Sequence, residues 1–242
     1  MHTDMTLKPT NDPMGQAVLD YLEGKPTKKL RVLSSMFDED EMPVPHLFRT
    51  YQEMPPLEQK ALDMVRGKVL DIGACAGCHA ICLQEKGMDV TAIDISPLSV
   101  ETMKRRGLKN VMLADMFVDN VGTNYDTILL LMNGTSIAGT LERLPAYLEA
   151  LRKMLAPGGQ ILIDSTDLRY IYEDEDGNFD YEGIQYYGQV DYRMQYGKVR
   201  GPRFDCLYVD PTTMQKFVEN AGMKSEIVAT NDECAYLIKI WE

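Results

Sequence analysis

The sequence is short of positive charge. Against 37 Asp and Glu it carries 25 Lys and Arg, for a formal net charge of −12. A protein that gains affinity by neutralising phosphates needs a basic face. Here the cations are scattered. The densest group, Lys104, Arg105, Arg106 and Lys109, reads as the solvated end of a helix. The expected partners therefore include neither nucleic acid nor an anionic membrane. Long hydrophobic runs are also missing: the longest, Ile128 to Met132, is far too short to cross a bilayer. The stretch from Met1 to Asp12 has no apolar centre of an export signal, so a cytoplasmic location with reduced thiols is expected. Five cysteines is an odd number without secreted-domain spacing. Internal repeats and low-complexity tracts are absent.

What is present is a 242-residue chain, 45% apolar, long enough for one large domain or a domain with an appendage. Residues 1–12 read as a loose end, Met14–Leu22 as a short helix, and 34–45, "SSMFDEDEMPVP", as a solvated acidic loop. The acidic run lacks the glycine and the alternating oxygens of a calcium loop. Pro56–Val65 reads as a helix with Leu57, Ala61, Leu62 and Val65 on one face. From Lys68 onward, short apolar strands are expected at Lys68–Ile72, Asp89–Asp94, Asn110–Ala114, Thr127–Met132 and Gln160–Asp164. Helical patterns at His79–Lys86, Pro97–Arg106 and Leu144–Leu155 lie between most of them, and "APGGQ" at 156–160 reads as a turn. This alternation implies a doubly wound α/β fold with a mostly parallel sheet. A helix through Ala221 and two strands separated by "NDE" then imply a terminal antiparallel hairpin. The expected organisation is an N-terminal helical lid or extension over 1–66 and a main domain over 67–242. An inserted flap at about 166–206 interrupts the main domain.

The stretch "VLDIGACAGCHA", Val69 to Ala80, is a strand, a small-residue turn and a helix start. Such a turn presents backbone N–H groups to a ligand. A nicotinamide fingerprint needs G-x-G-x-x-G; counted from Gly73, the second and third glycines are Cys75 and Cys78. Asp71 would also face a pyrophosphate unfavourably, whereas it suits a cation. Cys75 and Cys78 form a C-x-x-C, but zinc needs about four ligands and no second pair stands at useful spacing, so no metal is expected.

Asp71-Ile72-Gly73-Ala74-Cys75-Ala76-Gly77 resembles motif I, D/E-x-G-x-G-x-G, of the Rossmann-like (class I) S-adenosylmethionine-dependent methyltransferases, with Cys75 in place of the middle glycine. "VTAIDIS" resembles motif II, "NVMLADMF" motif III, and "LRKMLAPGGQILIDS" the family's helix, turn and fifth strand. The resemblance runs from about Lys68 to Trp241, and "LLLMNG" and "LYVDP" are similar to an uncharacterised bacterial subgroup. It implies a seven-stranded sheet in the order 3-2-1-4-5-7-6 and S-adenosyl-L-methionine as cofactor. It further implies a cofactor site of Asp71, Gly73, Ala74, Cys75 and Gly77, with Asp94 on the ribose, Ile95, Asp115 and Met116 at the adenine, and Met132 near the methyl group.

Other candidates come with ordinary alternatives. His79 suits the ligand or a substrate, and equally a helix cap. Asn133 and Asp164 stand at expected strand ends, where a substrate-orienting or base role competes with a turn or a polar rim. Asn133-Gly134-Thr135-Ser136 lacks the Pro-Pro-aromatic of base-modifying methyltransferases. Arg49, Asp167, Tyr187 and Tyr192 are substrate candidates. The expected activity is methyl transfer by direct displacement to a small molecule, and a cationic one would suit the acidic charge. The alternatives are an S-adenosylmethionine-binding protein without catalysis and a nicotinamide oxidoreductase. A homodimer is left open.

Overall fold

The structure, a computed structural model, describes residues 4–183 and 185–242; the first three residues of the expected loose end lie outside them. Two sheets organise the chain. The larger has seven strands: β3 (Lys68–Ile72), β4 (Asp89–Asp94), β5 (Asn110–Leu113), β6 (Tyr125–Leu130), β7 (Leu155–Thr166), β10 (Lys224–Thr230) and β11 (Ala235–Trp241). Their spatial order is β10-β11-β7-β6-β3-β4-β5. Numbered by occurrence within this sheet and read from the other edge, that is 3-2-1-4-5-7-6, the order expected. β3 through β7 pair in parallel, whereas β11 runs antiparallel to β7 and to β10.

Alternation of side chains along each strand builds one apolar layer on each face. Val69, Leu129, Leu162 and Leu237 point to the face covered by α2 (Pro56–Met64), α3 (Cys78–Glu85) and α4 (Pro97–Arg105). Leu70, Ile128, Ile161 and Ile238 point to the face covered by α5 (Leu144–Met154) and α6 (Pro211–Asn220). The chain order reverses between β3 and β6, so a crevice opens at their carboxyl ends, where open sheets bind ligands.

The second sheet has four antiparallel strands in the order β2-β1-β8-β9: β1 (Leu30–Leu33), β2 (Asp40–Met42), β8 (Gln189–Tyr196) and β9 (Val199–Leu207). Leu30 pairs with Tyr196 and with Met42. With α1 (Pro13–Leu22) it sits on the loop after β3: Leu30, Tyr196, Ala17 and Val18 cluster with Ala76, against which Cys75, Met132 and Met194 pack.

Four local expectations are corrected. The acidic loop contains β2, because cross-strand pairs absorb its charge: Lys29 Nζ lies 2.8 Å from Glu41, and Arg31 pairs with Glu39. Residues 4–12 are not loose. Met5 N–H donates to Asp115 Oδ2 (3.0 Å), Leu7 N–H donates to the Ile95 carbonyl (2.9 Å), and Asp12 is fully buried. β7 begins at Leu155, through the expected turn. β6 stops at Leu130, and Met132 and Asn133 both adopt left-handed backbone (φ 68° and 63°). Among the described residues no helix is long and apolar enough to cross a membrane.

Candidate functional site

The turn after β3 is built from three left-handed residues: Gly73 (φ 74°), Cys75 (φ 51°) and Gly77 (φ 79°). Gly77 is doubly required, since a Cβ there would lie 2.9 Å from Met103 Cγ of α4. Gly73 and Ala74 N–H both donate to the Ile93 carbonyl (2.9 and 3.1 Å), which ties the turn to the end of β4. Cys75 occupies a conformation that favours glycine, and its N–H donates to Asp94 Oδ2 at 2.8 Å. Burial pushes the Cys75 thiol well up, with the Asp94 charge adding to it, so this sulfur stays a neutral thiol.

Asp94 closes β4. Its second oxygen accepts from Ser96 N–H (2.8 Å). Burial raises its carboxyl to about 6 against those two backbone donors. Asp115 follows β5 and is 3% exposed; its Oδ1 accepts from Phe117 N–H at 2.9 Å. The segment from Met5 to Asp12 thus runs past Asp115, Ile95 and Ser96. Asp12 fixes its end, accepting from Ser96 Oγ (2.6 Å), from Gly15 N–H at the start of α1 (2.9 Å) and from Leu98 N–H (3.3 Å). Met116 is buried in the core layer beneath.

Beneath the turn lies a buried charged group. Arg49 Nη2 donates to both Glu58 oxygens (2.6 and 2.5 Å), and His79 Nε2 lies 2.7 Å from Glu58 Oε2. All three are buried. Burial opposes the His79 imidazolium, but the Cys78 sulfur, the bond to Glu58 and the Asp71 charge hold its pKa well above the ordinary range. The Glu58 carboxyl lies below its ordinary value, because His79 and Arg49 outweigh burial. Asp71 projects to this face of the sheet, and burial raises it to about 6. Two atoms here have no partner among the described residues: Asp71 Oδ2 and Arg49 Nε. An unsatisfied buried acceptor and donor are costly unless a ligand supplies their complements. An amino-acid tail brings an ammonium and a carboxylate, which fits both.

Across the crevice, the strained residues after β6 meet the end of β7. Asn133 is fully engaged: Nδ2 donates to the Leu207 carbonyl (3.4 Å) and towards Cys206 Sγ (3.6 Å), while Oδ1 accepts from Thr135 and Ser165 hydroxyls (3.0 and 3.1 Å). Asp164 Oδ1 accepts from Gly134 N–H (3.1 Å), and burial raises this carboxyl to about 6. Met132 packs with Cys75 under the small sheet. Asp167 and Tyr187 stand outside this group and bond each other, Tyr187 O–H donating to Asp167 Oδ1 at 2.7 Å. Tyr192 lies on β8, with its hydroxyl 3.4 Å from that of Tyr208.

Three participants escaped the sequence reading: Asp12, Glu58 and Tyr208. Only Asp12 had a local signal, an N-cap acid followed by proline at the first helical position.

Comparison with known proteins gives concordant matches. The family described as "Methyltransferase domain" matches residues 45–226. A solved S-adenosylmethionine-dependent methyltransferase from Bacteroides fragilis, in complex with S-adenosyl-L-homocysteine, is 47% identical. It aligns over 98% of this chain and 97% of its own, with a TM-score of 0.92. The CcbJ methyltransferase from Streptomyces caelestis shares the fold at 14% identity, over 78% of this chain and 93% of its own (TM-score 0.60). A ubiquinone biosynthesis O-methyltransferase from Xanthomonas oryzae is 29% identical over 109 residues, 44% of this chain and 46% of that protein. The chain thus spans about half the length of the curated relatives it matches.

Proposed function

The chain belongs to the class I S-adenosylmethionine-dependent methyltransferases, its cofactor is S-adenosyl-L-methionine, and from that premise we propose that its methyl acceptor is a small molecule. The observation that carries this reading is the small sheet. It covers the carboxyl edge of the large sheet and packs on Ala76, Cys75 and Met132, which leaves a covered crevice instead of an open face. The acidic balance of the chain and the small-molecule name of the O-methyltransferase relative support the same reading.

When bound, the cofactor supplies a methyl group on a sulfonium, already activated towards displacement. The tasks left to the chain are holding, aligning and excluding water. We assign Asp94 to the ribose hydroxyls, since a vicinal diol asks for two acceptor oxygens and both are already oriented by backbone donors. Asp71 and Arg49 would take the amino-acid tail through their unpartnered atoms. Ile95, Met116 and Asp115 would wall and edge the base, and the turn from Gly73 to Gly77 would approach the nucleoside closely. Met132, Cys75 and the apolar cluster above them would keep water from the reacting carbon.

An acceptor with a proton to lose needs a base. His79 is unsuited, being held protonated against Glu58, and Asn133 has no free lone pair in its network. Asp164, a carboxylate near 6 at the edge of β7, is the group to which we assign that proton. His79 and Glu58 are then positioning residues for Arg49 and Asp71.

The test is incubation of the protein with methyl-labelled cofactor and two fractions of a cell extract, one dialysable and one macromolecular. Label transferred to the dialysable fraction supports the reading; label confined to protein or nucleic acid overturns it.

A further inference from the structure

A cleft of about 970 Å³ opens between the small sheet and the carboxyl edge of β7. Val32 of β1 and Tyr192 of β8 line one wall. Thr166 of β7 and the turn ahead of β11 line the other. It adjoins the reacting edge. Thr166 is two residues from Asp164, and the Cys206 thiol contacts both Tyr208, a lining residue, and Asn133.

The lining has a one-sided chemistry. Phe37 and three tyrosines, Tyr170, Tyr192 and Tyr208, supply ring faces and hydroxyls; Tyr170 is 53% exposed. Carboxylates line it at 38–40 and 232–233, and among the described residues no Lys, Arg or His does. Only Glu39 among these carboxylates forms an ion pair within the described residues, with Arg31. Ring faces attract cations, and a concave surface of one sign concentrates the opposite charge. An anionic ligand would be repelled along the whole wall.

The geometry points to this cleft as the acceptor site, and to a small organic cation as what it takes. The inference rests on the methyltransferase reading above and names the acceptor's class. The cationic group and the attacking atom are different atoms of that molecule, because an ammonium has no lone pair. A lone pair on a neutral hydroxyl, thiol or amine forms the bond to the methyl carbon as the carbon–sulfur bond breaks. The bonding pair leaves with sulfur as S-adenosylhomocysteine, and any proton on the attacking atom passes to Asp164. The second, charged group stays against the tyrosines and the acidic rim.

Two probes with the same phenolic body test this: tyramine, a cation, and 3-(4-hydroxyphenyl)propionate, an anion. Binding is read by saturation-transfer NMR at low salt on protein saturated with S-adenosylhomocysteine, whose own affinity is measured calorimetrically on the same sample. Tyramine is expected to bind and the anion not to bind. Reversing two exposed carboxylates, Asp38→Lys with Asp232→Lys, should weaken tyramine about tenfold while leaving the affinity for S-adenosylhomocysteine unchanged. Tyr192→Ala should also weaken tyramine. If S-adenosylhomocysteine binds but the two probes bind alike, or neither binds, or tyramine ignores the charge reversal, the cleft inference falls and the cofactor reading stands. If S-adenosylhomocysteine itself fails to bind the folded protein, the reading beneath falls too.

Discussion

Replacing Glu58 by Gln removes the anion between two buried cations. In the native protein the Glu58 carboxylate receives two Arg49 bonds and faces His79 at 2.7 Å, and all three residues are at most 6% exposed. Taking away one partner of a buried ion pair leaves the other uncompensated and costs about 3–5 kcal/mol. His79 can shed its proton to relieve part of this, whereas Arg49 cannot. The loss should therefore fall with pH in a defined sense. The folded His79 pKa lies well above its unfolded value of about 6.5. Its contribution is fully present below that value and is lost as pH rises through the folded pKa. Glu58 is depressed, so its contribution is present above its unfolded value of about 4.3 and is lost as pH falls through the folded one. The difference between native protein and Glu58→Gln should then be widest between about pH 5 and 6.5 and shrink at alkaline pH. Urea unfolding at a series of pH values, with equal slopes for both proteins, reads it directly. A difference below about 1 kcal/mol, or one that does not change with pH, would refute the buried triad.

Further expectations follow from the same geometry. Asp12→Ala removes a cap and leaves the buried Ser96 O–H without its acceptor, and should cost about 2 kcal/mol in thermal or urea melts; Asp12→Asn, which keeps a capping oxygen, should cost less. Cys75→Gly relieves a left-handed non-glycine residue and should stabilise by about 1 kcal/mol without loss of S-adenosylhomocysteine binding, while Cys75→Val should destabilise. Burial raises the Asp71 and Asp94 carboxyls to about 6, so calorimetric affinity for S-adenosylhomocysteine should rise between pH 5 and 7, by up to about tenfold for each carboxylate that must be ionised. In the free protein the sign is opposite: these two raised carboxyls favour the folded state at low pH, and that contribution fades as pH rises from their unfolded value of about 3.9 through the folded one.

The large sheet was legible because its information is local. Each strand of Lys68–Ile72 type is a short apolar run, and "NDE" between two such runs fixes an antiparallel hairpin. The turn from Gly73 to Gly77 was legible for the same reason, since its backbone demands small residues. The pairing that joins the flap strands β8 and β9 to β1 was not. β1 pairs with β8 across more than 160 residues, as in Leu30↔Tyr196, and no local periodicity reports such a pairing. β2 was hidden by its acids, whose cationic partners lie on the neighbouring strand and just before it. Nothing local marks Glu58, in the first turn of a helix, as buried; its burial depends on Arg49 and His79 arriving from other elements. The strap of residues 4–12 reads as a loose end because no apolar periodicity marks it; its backbone N–H groups find acceptors at Asp115 and Ile95, on distant elements. Met132 was placed in β6 by its apolarity, but the chain turns there into left-handed backbone to deliver Asn133 into the Ser165–Leu207 network.

The most direct test of the cofactor site is calorimetric titration of the protein with S-adenosylhomocysteine and, separately, with NADH, repeated on Asp94→Ala. The expected results are a dissociation constant on the order of micromolar or better for S-adenosylhomocysteine, no heat from NADH, and loss of most of the affinity in the variant. Full retention of S-adenosylhomocysteine binding by folded Asp94→Ala, or binding of NADH in its place, would contradict it.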